Sequence, residues 1–98
     1  MITVVKMSKT YNAGVYYIGR PSPWGNPFSV VDYGRGIAIQ KFIVWWYAPE
    51  QKKLREKALK EIPTDAKLGC WCAPGSCHGD IIAGYINWKR ACCPNDAF

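Results

Sequence analysis

Three of the chain's five cysteines, its single histidine and a carboxylate fall within eleven residues, Cys70-Trp71-Cys72-Ala73-Pro74-Gly75-Ser76-Cys77-His78-Gly79-Asp80. Thiolate sulfur and imidazole nitrogen are preferred ligands of zinc. Cys70, Cys72, Cys77 and His78 therefore form one candidate metal set, although Cys-x-Cys-x4-Cys-His lacks the paired Cys-x2-Cys spacing of ordinary zinc fingers and ribbons. The same residues also fit a reactive thiol. Cys77 stands at the expected N-terminus of a helix, where backbone N–H groups and the macrodipole favour a thiolate. His78 follows it as a candidate base. Asp80 could orient that imidazole, or cap the helix, since Cys77-x-x-Asp80 has capping spacing. On this reading Cys77, His78 and Asp80 are the catalytic candidates. A third reading is structural, because free cysteines are among the most buried residues. The spacing alone leaves all three open.

A second group lies in Ile18-Gly19-Arg20-Pro21-Ser22-Pro23-Trp24-Gly25-Asn26-Pro27-Phe28. Its prolines and glycines exclude a helix or a central strand. Arg20, and Arg35 further on, suit bidentate pairing with phosphate or carboxylate. Asn26 offers a donor and an acceptor to a base or amide edge. Trp24 could stack on a planar ring, or it and Phe28 could simply plug the core. With Cys72 at the second loop, Arg20, Trp24, Asn26 and Arg35 make up the ligand-binding candidates.

These residues need elements to position them. Ile2–Met7, Val15–Ile18 and Lys67–Cys72 have the β-branched and apolar character of strands. The first two could pair as a hairpin. Asp32–Gly36 reads as a break. A largely buried helix follows from about Arg35 to Ala48, carried by Ala38, Phe42, Trp45 and Trp46. Pro49 stops it. Glu50–Ile62 patterns as a surface helix, with Leu54, Ala58 and Ile62 on one stripe. Its Lys52, Lys53, Arg55, Lys57 and Lys60 make a basic run interleaved with Glu50, Glu56 and Glu61, as on a solvated face. Ile81, Ile82, Tyr85, Ile86 and Lys89 define a last helix, whose Lys89 and Arg90 complement its own C-terminus. Residues 92–98 read as a frayed tail. The expected fold is a single α/β domain over residues 1–98, with a small sheet of about three strands and three helices in a Rossmann-like layer arrangement. Both motif loops leave the carboxyl ends of expected strands, where open α/β sheets bind their ligands. If those ends lie together, the two loops form one pocket.

Composition sets the partners. Thirteen basic residues against seven acidic ones give a net charge of +6. That balance favours anionic partners: nucleotides, nucleic acid or an acidic protein surface. No apolar run approaches membrane-spanning length, and no secretory signal is recognisable. A cytoplasmic setting with reduced thiols is expected, with no membrane partner.

The stretches Tyr17-Ile18-Gly19-Arg20, Pro23-Trp24-Gly25-Asn26-Pro27-Phe28 and Leu68-Gly69-Cys70-Trp71-Cys72-Ala73-Pro74, followed by Cys77-His78-Gly79-Asp80, resemble the domain-of-unknown-function 4326 family. The resemblance runs from about Thr3 to Asn87, and Arg35 also matches. Pro21, where a small residue is more usual, and the Cys92-Cys93 tail depart from the pattern. The resemblance implies a phage or bacterial setting, in the host cytosol if phage-encoded, but carries no reaction. The leading expectation is a pocket for an anionic, nucleotide-like ligand, extending to an enzyme if the Cys/His site reacts. The alternative is a zinc-stapled module that binds nucleic acid or a host protein.

Overall fold

The computed structural model describes residues 1–8, 14–20, 22–71 and 77–91, together with the backbone of Cys92. Of the expected tail at 92–98, Cys92 instead ends the last helix, and 93–98 lie outside that set, as do residues 72–76 of the second motif.

Three short strands form the sheet: β1 (Thr3–Lys6), β2 (Val15–Tyr17) and β3 (Lys67–Cys70). All pairings are parallel and the order is β1-β3-β2. The first two strands thus form no hairpin, because β3 separates them. Leu68, Gly69 and Cys70 are the buried residues of β3, and the middle of a parallel sheet is where such a segment is covered on both sides. Gly69 suits this crowded position: a Cβ there would collide with the side chains of Met7 and Val15.

Among the described residues, four helices complete the α/β fold rather than the three expected. The added one, α1 (Val30–Tyr33), is a single turn. The Ser29 hydroxyl accepts from Val31 N–H at 3.1 Å and starts it. Gly34, at φ 78°, supplies the left-handed residue that ends it and leads straight into α2 (Arg35–Tyr47). The break expected at 32–36 therefore shrinks to this one glycine. Ala38, Phe42 and Trp46 recur every fourth residue of α2 and are its buried face. A 3-10 turn at Pro49–Gln51 leads into α3 (Lys52–Glu61), and α4 spans His78–Cys92.

Helix α4 packs on β1 and β3, and α2 and α3 pack on α4. These contacts establish a mixed α/β core without establishing Rossmann-like layering. Trp24, Phe42, Trp46, Leu68, Ile82 and Ile86 form its centre. Each such side chain contributes about 1.5–3 kcal/mol by leaving water.

Three polar side chains lock the elements together. Arg55 is buried; its Nη1 donates to the carbonyls of Trp46 (2.5 Å) and Ala48 (2.9 Å), at the open end of α2. It does not belong to a solvated basic face, although Lys52, Lys53, Lys57 and Lys60 do. Arg90 donates to the carbonyls of Leu59 (3.0 Å) and Ile62 (2.6 Å). It thus closes α3 rather than its own helix. Asn87 pairs with both backbone groups of Ile2, accepting at 2.7 Å and donating at 3.0 Å, and holds β1 against α4. Among the described residues no helix is long and apolar enough to cross a membrane.

Candidate functional site

Parallel pairing puts the three carboxyl ends, Lys6, Tyr17 and Cys70, along one edge of the sheet. The loops after β2 and β3 leave from that edge, and the start of α2 lies beside them. Together they enclose a pocket of about 300 Å³. Tyr17 comes from the end of β2, Arg20 and Phe28 from the loop after it, Arg35 and Ile39 from α2, and Trp71, Cys77 and His78 from the second motif. The volume is at the small end of the range of ligand sites.

The first loop is tied to itself. Tyr17 Oη donates to Arg20 O at 2.6 Å, and Arg20 Nε donates to Asn26 O at 2.8 Å. Asn26 Oδ1 accepts from Phe28 N–H at 2.9 Å, while Nδ2 donates to Ala38 O in α2 at 3.3 Å. Its amide edge is thus engaged in shaping the loop and joining it to α2. Gly25 permits the closure, since a Cβ would lie 3.1 Å from the backbone nitrogen of Arg20. The result is an arginine whose guanidinium is oriented before any ligand arrives.

Trp24 is 2% exposed and stands in the core, away from the pocket lining. It is the plug, and offers no open face for stacking. The indole that lines the pocket is that of Trp71, 50% exposed and directly after β3. Strand alternation gave no signal for it, since alternation sets Trp71 opposite Cys70 and yet both line the pocket.

The described end of the second motif, Cys77–Asp80, forms the start of α4. Cys77 Sγ accepts from Gly79 N–H at 3.3 Å, and the Asp80 carboxylate accepts from Cys77 N–H at 3.4 Å. This reciprocal pattern is a capping box with cysteine at the cap. Asp80 is exposed and its carboxylate serves the helix end.

His78 is 7% exposed and edges onto the Phe42 ring at a centroid distance of 5.3 Å. Its Nε2 lies 2.9 Å from Ile18 O. A carbonyl only accepts, so Nε2 carries the proton and the Nδ1 lone pair faces Cys77 Sγ, 3.6 Å away. Burial pushes the imidazole below its ordinary pKa range. Backbone hydrogen bonds to Ile18 and Trp24 oppose that shift, and the Arg20 charge adds to it. The ring is neutral near pH 7.

The sulfurs of Cys70 and Cys77 are joined as a disulfide. With His78 they form a buried group whose ligand atoms all lie within 4.8 Å of one another. Once reduced, the trio offers two chemistries: a thiol beside an unprotonated imidazole nitrogen, or three donors for a soft cation. The structure thus brings together Arg20, Arg35, Cys77 and His78, with Cys70 also lining the pocket. Cys72, expected both as ligand contact and as metal ligand, lies outside the described residues.

No curated protein and no solved structure matches the chain. A family model described as "Domain of unknown function (DUF4326)" matches residues 4–88. With both motifs, Arg35 and every residue of the three described strands except Thr3 inside that span, the chain belongs to the DUF4326 family.

Proposed function

We propose that the protein binds a small anionic ligand of the nucleotide-like class in this pocket. The observation that carries the reading is the meeting of Arg20 and Arg35, from separate elements, in one cavity of about 300 Å³ with Trp71 and Phe28. Two guanidinium groups suit a phosphate or carboxylate. Two aromatic rings suit a planar group attached to it. The excess of basic residues favours the same ligand class. Asn26 contributes by fixing Arg20 and the loop. If turnover follows binding, Cys77, once its disulfide to Cys70 is reduced, and His78 are the side chains placed to act on the ligand, since both line the pocket.

Isothermal calorimetry with inorganic phosphate and with adenosine and guanosine monophosphates tests the reading. Arg20→Ala and Arg35→Ala should each weaken binding by about 10-fold to 100-fold, the value of a charged hydrogen bond. Both side chains are exposed, so the circular dichroism spectrum and melting point should hold. Unchanged affinity in both variants would refute the assignment.

A further inference from the structure

The disulfide leaves one feature of the cluster unexplained. A Cys70–Cys77 bond alone does not require His78 to turn its lone pair toward the sulfurs, yet Nδ1 faces Cys77 Sγ. We propose that, in the reduced chain, Cys70 Sγ, Cys77 Sγ and His78 Nδ1 bind one zinc-type divalent cation, and that the disulfide is the metal-free oxidised form of this site.

Three distances support this assignment. Zinc–sulfur bonds of about 2.3 Å and zinc–nitrogen bonds of about 2.05 Å at a tetrahedral angle set sulfur and nitrogen about 3.6 Å apart. The Cys77 Sγ to His78 Nδ1 distance is 3.6 Å. Two sulfurs on one such ion stand about 3.8 Å apart, so their backbones sit wider than in a disulfide, whose Cα atoms usually lie about 4.4–6.8 Å apart. The Cα atoms of Cys70 and Cys77 are 7.3 Å apart. The far side of the histidine agrees, because metal-bound imidazoles commonly donate their other N–H to a backbone carbonyl. Here Nε2–H donates to Ile18 O at 2.9 Å. The Gly79 N–H directed at Cys77 Sγ would stabilise a metal-bound thiolate.

The chemistry balances simply. A water-soluble phosphine reduces the disulfide to two thiols and leaves as its oxide, taking oxygen from water and delivering that water's two hydrogens to the sulfurs. The cation then displaces the thiol protons to solvent. A sulfur held by a metal is a weaker nucleophile than a free thiolate. The site would therefore place a Lewis acid in the pocket wall beside Arg20, instead of a reactive thiol.

The test is anaerobic titration of the phosphine-reduced full chain with cobalt(II), followed by displacement with zinc(II). One equivalent of cobalt should bind, with the ligand-field bands of a tetrahedral ion and a sulfur-to-cobalt charge-transfer band. Cys70→Ser and Cys77→Ser should each weaken binding at least tenfold and diminish the charge-transfer band. If reduced wild-type protein, shown folded by circular dichroism, takes up no cobalt, the proposal is overturned. Cobalt binding without the sulfur band, or unaltered in both variants, overturns it equally. The wild-type titration decides the matter even if a serine variant does not fold. Phosphate and nucleotide binding to metal-free protein is measured separately, so the two readings can fail independently.

Discussion

His78 Nε2 donates to the carbonyl of Ile18 at 2.9 Å, bridging 60 positions of sequence. The bond pins the start of α4 to the end of β2 and so holds the two motif loops at one mouth. Gly79 makes that approach possible. A Cβ there would stand 2.7 Å from Ile18 Cδ1 and 3.2 Å from Val4 Cγ1.

Gly79→Ala should therefore destabilise the protein by about 1–3 kcal/mol, the usual effect of overpacking. Ile18→Val removes the Cδ1 atom nearest to the new methyl group. In the double variant the two losses should be less than additive. Urea unfolding of the two single variants and the double variant checks this. A Gly79→Ala protein as stable as wild type would show that α4 does not depend on this close approach.

The buried imidazole makes stability depend on pH in the disulfide-linked form. The folded pKa of His78 is lowered from an ordinary value of 6.5. The unfolded chain therefore takes up the proton first as pH falls. The stabilisation is fully present above about pH 6.5 and declines below it, until the folded ring also titrates. Since this is the chain's single histidine, urea midpoints at about pH 7.5 and about pH 5.5 isolate its effect. Wild type should lose stability between them, and His78→Gln should lose much less. Equal slopes would place the dependence on another group.

Two tryptophans should separate binding from folding. Trp24 is 2% exposed, and Trp24→Ala should cost about 3–5 kcal/mol. Trp71 is 50% exposed in the pocket lining, so Trp71→Ala should change stability by less than about 1 kcal/mol. It should still weaken nucleotide binding about threefold to tenfold. Chemical denaturation and calorimetry on the same two variants give both numbers. The stacking role of Trp71 fails if its removal leaves affinity untouched.

Patterns along the chain made α2 legible, because Ala38, Phe42 and Trp46 repeat at helical spacing and do face the core. The meeting of the two motif loops was legible too, once parallel strands were assumed. What local pattern could not supply was partner choice at a distance. Val4 and Tyr16 look equally fit for pairing with each other, but each pairs with Leu68. Arg55 looks like its lysine neighbours on α3, and only the open carbonyls at the end of α2 reveal why it is buried. Asn26 carries the groups a ligand would want, and the loop and α2 take them. Trp24 and Trp71 share a residue type, and the core's shape assigns one to packing and the other to the pocket.

The central place of β3 also bears on synthesis. β1 and β2 emerge first from the ribosome, yet the strand that joins them is made only at Lys67–Cys70. Until then neither has its ladder partner, and the nascent chain holds two unpaired apolar segments. Sheet formation must await synthesis of Lys67–Cys70, and closure of the α4 start against Ile18 must follow it. Assembly of the sheet should thus be a late event that rests on distant strand pairings. A fragment ending after α3 would lack the sheet and the pocket together.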